Sequence, residues 1–158
     1  MKLLLDTGPL GQLCHPRKDQ NRPIAEWLAR LLHAGDESVQ VSVPEIADYE
    51  LRRKLLHLID KGQATEKSIQ RLDDLGRLLD YLPLDTETMR RAAELWAVAR
   101  KQGLPTSAER ALDGDVILAA QADLVGATVV TTNRKHLSQF VPAKEWTEIS
   151  ISNPASDS

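Results

Sequence analysis

Cysteine, aromatic residues and long apolar runs are all scarce in this chain, and each scarcity removes a class of function. Cys14 is the single cysteine, so no intramolecular disulfide can form and no zinc knuckle can be assembled. Aromatics make up 4% of the 158 residues, which leaves few stacking platforms for bases. An excess of positive charge is missing too: 20 basic residues face 23 acidic ones, for a net charge of −3. A general nucleic-acid coat protein is basic, so any nucleic-acid contact here must use a local patch. No stretch approaches the length of a membrane span. The apolar run at Met1–Leu5 is too short for a signal peptide and stops at Asp6. The expected location is the cytosol.

What remains is ordinary for a soluble domain: 42% hydrophobic and 27% charged residues. The length suits a single α/β domain with a sizeable core, expected over 1–151, with a small polar tail over 152–158 that frays. Lys2–Asp6 reads as a central parallel strand, apolar without alternation. Thr7-Gly8-Pro9 is expected to turn the chain, with a short helix over Leu10–Leu13. Helices are expected over Arg22–His33, stopped at Gly35, and then from Ser42-Val43-Pro44-Glu45 to Asp60. That tetrapeptide matches a capping box with Ser42 as the cap. Further helices are expected over Thr65–Asp80, Glu87–Lys101 and Asp113–Gly126, and a short one over Lys135–Phe140. Strands are expected at Val39–Ser42, Tyr81–Leu84, Ala127–Thr132 and Thr147–Ile151. Alternating strands and helices predict a three-layer α/β fold, with a parallel sheet of four to five strands between helices. Sites in such folds lie beyond the carboxyl ends of the strands.

Three acidic residues occupy element edges. Asp6 ends the first strand, where a carboxylate is costly unless it is satisfied or used. It reads either as a cap for the next helix or as a cation ligand. Glu50 sits in Tyr49-Glu50-Leu51-Arg52-Arg53, where the plain alternative is a solvent-facing pair with Lys54. Glu45 is accounted for by the capping box, and Asp48 has no special setting. Asp113-Gly114-Asp115 opens an apolar helix. Asp113 can cap it and Asp115 can favour its positive end, which still leaves one carboxylate for chemistry. Thr131-Thr132-Asn133 ends a strand, with hydroxyls and an amide that can orient water or touch phosphate, or simply cap a loop. His136 follows, and a lone histidine is usually a surface one. Three carboxylates from distant segments can converge on one hard cation, which points to metal-assisted phosphodiester hydrolysis. Competing motifs fail. Asp6-Thr7-Gly8 spells the aspartic-protease signature in a mostly helical chain. It also lacks the second aspartate of a haloacid-dehalogenase phosphatase. No receiver-domain acid pair and no phosphate-cradling glycine loop is present.

Taken in order, Leu5-Asp6-Thr7-Gly8-Pro9-Leu10, Tyr49-Glu50-Leu51-Arg52-Arg53, Asp115-Val116-Ile117-Leu118-Ala119-Ala120-Gln121-Ala122 and Val130-Thr131-Thr132-Asn133 resemble the PIN-domain family, specifically its VapC-type toxins, over about residues 2–150. The resemblance implies a ribonuclease using Mg²⁺ or Mn²⁺, with Asp6, Glu50 and Asp115 as its catalytic and metal-binding acids. It implies an RNA substrate, a homodimer and a cognate antitoxin, and makes the chain the toxin of a two-component pair. Asp113, Thr132, Asn133 and His136 are candidate supporting residues, and Arg52, Arg53 and Arg134 candidate RNA contacts. One departure stands out. Asn133 takes the place where the family commonly has a fourth acid, and where an acid follows three residues later this chain has His136. That departure motivates a second reading, a catalytically impaired PIN-like RNA-binding or scaffold protein. The dimer surface expected is formed by the helices at 44–60 and 65–80, through Leu51, Leu55, Leu58, Ile59 and Leu72.

Overall fold

The computed structural model describes residues 1–34, 37–103 and 109–150. Five strands form one all-parallel sheet: β1 (Lys2–Leu5), β2 (Gln40–Pro44), β3 (Asp80–Leu82), β4 (Thr128–Val130) and β5 (Ala143–Lys144), in the order β3-β2-β1-β4-β5. The helices are α1 (Thr7–Cys14), α2 (Lys18–His33), α3 (Glu45–Asp60), α4 (Glu66–Leu78), α5 (Thr86–Lys101), α6 (Glu109–Val125) and α7 (Arg134–Leu137).

The unbroken apolar run of β1 is explained by burial on both faces of the sheet. Leu3 and Leu5 point into a core built with Leu10, Trp27, Leu28, Leu51 and Leu72, which come from α1 to α4. Leu4 points the other way, into a core with Val129, Leu118, Ala119, Ala122 and Leu137. Val130 and Val129 divide between the same two cores. The alternation of side chains along each strand thus places helices on both faces, giving the expected three-layer α/β fold.

Several local expectations are corrected. Helix α1 begins at Thr7, directly after the strand, because Asp6 caps it and Gly8 and Pro9 fit its first turn. Helix α2 begins at Lys18, so Pro23 lies inside it. Gly35 lies outside the described residues. Ser42 is not a cap: it sits mid-strand opposite Leu4, and α3 starts after Pro44 without a side-chain cap. Glu45 instead accepts a hydrogen bond from Leu84 N at 3.0 Å. Helix α6 starts at Glu109, so Asp113, Gly114 and Asp115 are helix interior and Asp113 is no cap. The strand expected at Thr147–Ile151 is replaced over Trp146–Glu148 by a 3-10 turn. There Trp146 packs on Trp27, with ring centroids 5.9 Å apart, and Ile149 O accepts from Trp27 Nε1 at 3.0 Å. Residue 151 and the tail lie outside the described residues. Leu51, Leu55 and Leu72, expected at a dimer surface, are buried in the protomer's own core.

Candidate active site

The chain runs from β1 outward to β2 and β3, then returns to the other side of β1 to lay down β4 and β5. The sheet order therefore reverses between β1 and β4, the switch point beyond whose carboxyl ends folds of this kind place their sites. Asp6 and Thr131 are the first residues past those two ends, and Asp6 N donates to Val130 O at 2.9 Å.

Asp6 is fixed at both carboxylate oxygens. Oδ1 accepts from Thr7 N at 2.7 Å, the helix-cap contact. Oδ2 accepts from the Thr131 hydroxyl at 2.8 Å. The capping role and a functional role are therefore not alternatives, since each oxygen keeps a further lone pair. Thr131 Oγ1 also accepts from Asn133 N at 2.9 Å, so one buried hydroxyl ties the β4 loop to the β1 carboxylate.

Glu50 comes from the second turn of α3 and turns inward. Its Oε2 accepts from the Thr7 hydroxyl at 3.1 Å, so the expected solvent-facing pairing does not describe it. Burial is the main reason its carboxyl sits above the usual range; the Thr7 hydrogen bond and Arg53 oppose the rise, and Asp6 adds to it. Asp115 comes from α6 and is pushed up to about 6, chiefly by burial, with further upward pressure from Asp6 and Glu50 against the pull of His136. Asp6, Glu50 and Asp115, distant in sequence, thus act on one another through space. Among the described residues, the ion-pair contact of Asp115 is with His136, whose Nε2 lies 2.8 Å from Oδ2. The contact is charged when the imidazole is protonated, and its hydrogen-bond alignment is poor. The His136 ring is steadied by an edge-on contact with Phe140. It is neither a surface histidine nor free.

The remaining candidates divide. Thr132 and Asn133 are exposed just past the end of β4, and Asn133 makes no side-chain cap bond to α7. Asp113 is exposed on α6 and lines a separate apolar cleft with Trp96 and Met89. Arg52 is committed elsewhere: Nε donates to Asp48 at 2.9 Å and Nη2 to Asp73 at 2.7 Å. Asp48, expected to have no special setting, also accepts from the Tyr81 hydroxyl at 2.7 Å, and together with Arg52 it joins α3, α4 and β3. Arg53 lies over the Tyr49 ring, and Arg134 pairs with Glu148.

Sequence reasoning missed two supports. The Thr7 hydroxyl reaches Glu50, and Gly114 makes room for it: a Cβ at Gly114 would overlap Glu50 Oε1 and lie 3.0 Å from Cδ. A glycine between two aspartates inside an apolar helix was the available signal, because helix-interior glycine is unfavourable without a packing reason.

Solved structures share this architecture. VapBC-1 from nontypeable Haemophilus influenzae matches with a TM-score of 0.68 at 21% identity, over 93% of this chain and 99% of that one. FitAcB from Neisseria gonorrhoeae matches with the same TM-score, identity and coverage. VapBC2 from Rickettsia felis, bound to a DNA fragment from its promoter, matches with a TM-score of 0.66 at 19% identity, over 92% of this chain and 99% of that one. At these identities the likeness is one of fold. No curated protein matches the chain. The PIN-domain family model matches residues 3–140, a span that holds α3, α6, most of β1 and all three carboxylates, and the chain belongs to the PIN-domain family.

Proposed function

We propose that this protein is a metal-dependent endoribonuclease and the toxin of a toxin–antitoxin pair, with Asp6, Glu50 and Asp115 as its working acids. The observation that carries the reading is the mutual electrostatic influence of these three carboxylates beside the sheet's switch point, relieved among the described residues by Arg53 at Glu50 and by His136 at Asp115. Such a concentration of like charge is unfavourable for stability and is typical of sites that bind a cation or move a proton.

The donor set fits Mg²⁺ or Mn²⁺, being oxygen apart from His136. Among the described residues, no three His, Cys, Asp or Glu side chains enclose an ion by themselves. That suits a hydrated Mg²⁺, which keeps several waters and takes one or two carboxylates with substrate phosphate. Asp6 and Asp115 would hold it, and the Thr7 and Thr131 contacts keep Asp6 from turning away. A bound divalent ion supplies charge that polarises the phosphodiester and makes water more acidic. Glu50, desolvated and repelled by Asp6, is disposed to accept the proton of the attacking water. Water adds to phosphorus, the bond to the leaving ribose oxygen breaks, and that oxygen takes a proton from solvent. His136 offsets the charge of Asp115 while the second acid is free to work.

The protein partner is proposed from the resemblance to VapC-type toxins and from the two-component names of VapBC-1 and VapBC2, whose matched chains are covered almost in full. A homodimer and a cytosolic location belong to the same reading. No helix among the described residues is long and apolar enough to cross a membrane.

The test is incubation of single-stranded RNA with the purified protein in Mg²⁺, Mn²⁺ or EDTA, beside an Asp6→Asn control. Cleavage that needs the ion and Asp6 supports the reading. RNA binding without cleavage in any ion favours the scaffold reading that Asn133 and His136 motivate.

A further inference from the structure

Beside the proposed active site lies a polar cleft of about 560 Å³, lined by Thr132, Asn133, Arg134, Lys135, Ser138 and Glu145. It begins one residue beyond Thr131, whose hydroxyl holds Asp6 and Asn133 N together. The cleft is thus joined to the carboxylates through one hydroxyl, on the side where a nucleotide flanking the cut can lie.

The charges in the cleft are not those of a simple anion site. Arg134 is neutralised by Glu148. The Ser138 hydroxyl is used, donating to Arg134 O at 2.6 Å. Lys135 is exposed, and no carboxylate among the described residues pairs with it. Glu145 lines the same cleft and is exposed, also unpaired among the described residues. The Asn133 amide makes no cap bond. One free cation and one free carboxylate nearly cancel, so a bare phosphate ion gains little here. A ribonucleotide unit satisfies both: its phosphate oxygens accept from Lys135 and Asn133, and its 2′-hydroxyl donates to Glu145.

We propose that this cleft is a ribose-phosphate subsite that holds a nucleotide flanking the cut. Lys135 contacts its phosphate, and Glu145 reads its 2′-hydroxyl. The inference rests on the nuclease reading above and adds the means by which RNA is preferred to DNA.

The experiment measures binding of fluorescein-labelled single-stranded RNA, and of DNA of the same sequence, by anisotropy over a salt series with Ca²⁺ in place of Mg²⁺. Lys135→Ala should weaken both ligands about tenfold at low salt and flatten the salt dependence, as loss of one charged phosphate contact does. Glu145→Ala should narrow the RNA-to-DNA preference roughly fivefold, whatever it does to overall affinity. Lys67→Ala, an exposed lysine on α4, should bind as the parent does, and inorganic phosphate at matched ionic strength should not compete. Parent-like binding by Lys135→Ala, an unchanged preference in Glu145→Ala, or competition by phosphate ion overturns the subsite. If the parent cuts RNA and these variants match it, the subsite alone falls. If the parent neither binds nor cuts RNA, the nuclease reading falls with it.

Discussion

Glu50 and Gly114 occupy one another's space: the carboxylate of α3 fills the position that a side chain at Gly114 of α6 would take. The helix accepts a residue of poor helical propensity so that an acid from another helix can lie beside Asp115. Gly114→Ala should therefore act on the site rather than on the fold. An alanine there favours the helix by up to about 1 kcal/mol, but forces Glu50 out. Circular dichroism should show an unchanged helical signal, while RNA cleavage falls at least about tenfold, as displacement of a group from its productive geometry does. Full activity in Gly114→Ala would show that the position of Glu50 is immaterial.

Asp115 gives a pH prediction with a definite sign. Its carboxyl is raised from 3.8 to about 6 in the folded chain, so between those values the folded state holds a proton that the unfolded state has released. Stability therefore falls as pH rises through that window and stays lower above it. Without metal, Asp115→Asn should melt at a higher temperature than the parent at pH 7.5, and the gain should vanish near pH 4. Added Mn²⁺ should raise the parent's melting temperature and do less for the variant. A variant less stable than the parent at pH 7.5 would mean that the His136 attraction outweighs burial.

The hydroxyl of Thr131 joins Asp6 to the β4 loop. Thr131→Val keeps the shape of a buried side chain and removes both bonds. The expected cost is about 1–3 kcal/mol in denaturant unfolding, with weaker divalent-ion binding by calorimetry. Thr131→Ser should restore the ion affinity even where packing is looser. If Val and Ser bind the ion alike, the hydroxyl has no part in presenting Asp6.

The layers were legible in the sequence, and so were the three carboxylates that the fold brings within electrostatic reach of one another, because their signals are local or compositional. The run Leu3-Leu4-Leu5 could only be a strand covered on both faces, and Asp6 marks its end without ambiguity. Propensity rules misplaced what tertiary contacts decide. Ser42 and Glu45 have a capping-box spacing, yet Ser42 is needed in the β2 ladder and Glu45 reaches the backbone of Leu84. Asp113 resembles a cap only if the helix starts there, and α6 starts earlier. Arg52 looked available for phosphate because Asp73 and Tyr81, which lock it and Asp48 in place, come from other elements. Leu51, Leu55 and Leu72, assigned to a dimer face, are core residues, since the amphipathic stripe of a helix does not say what covers it.

Asn133 bears on how many ions the site holds. It is exposed just past the end of β4, and its side chain makes no cap bond. An amide ligates through oxygen without charge, so it holds a second divalent ion less well than a carboxylate. The parent should bind at most one ion tightly in calorimetry, and Asn133→Asp should tighten binding. An unchanged titration in that variant would make Asn133 a loop residue and leave the three acids unaffected.

The central claim is that Asp6 presents its carboxylate to a divalent ion that RNA cleavage requires. An asparagine at this position still accepts from Thr7 N, so Asp6→Asn preserves the cap and removes one charge. The decisive measurement is a calorimetric Mn²⁺ titration of the parent and Asp6→Asn, run beside cleavage of single-stranded RNA by the same preparations. The account predicts ion binding and cleavage in the parent and the loss of both in a folded Asp6→Asn protein. An Asp6→Asn protein that binds the ion and cuts RNA as the parent does would contradict it.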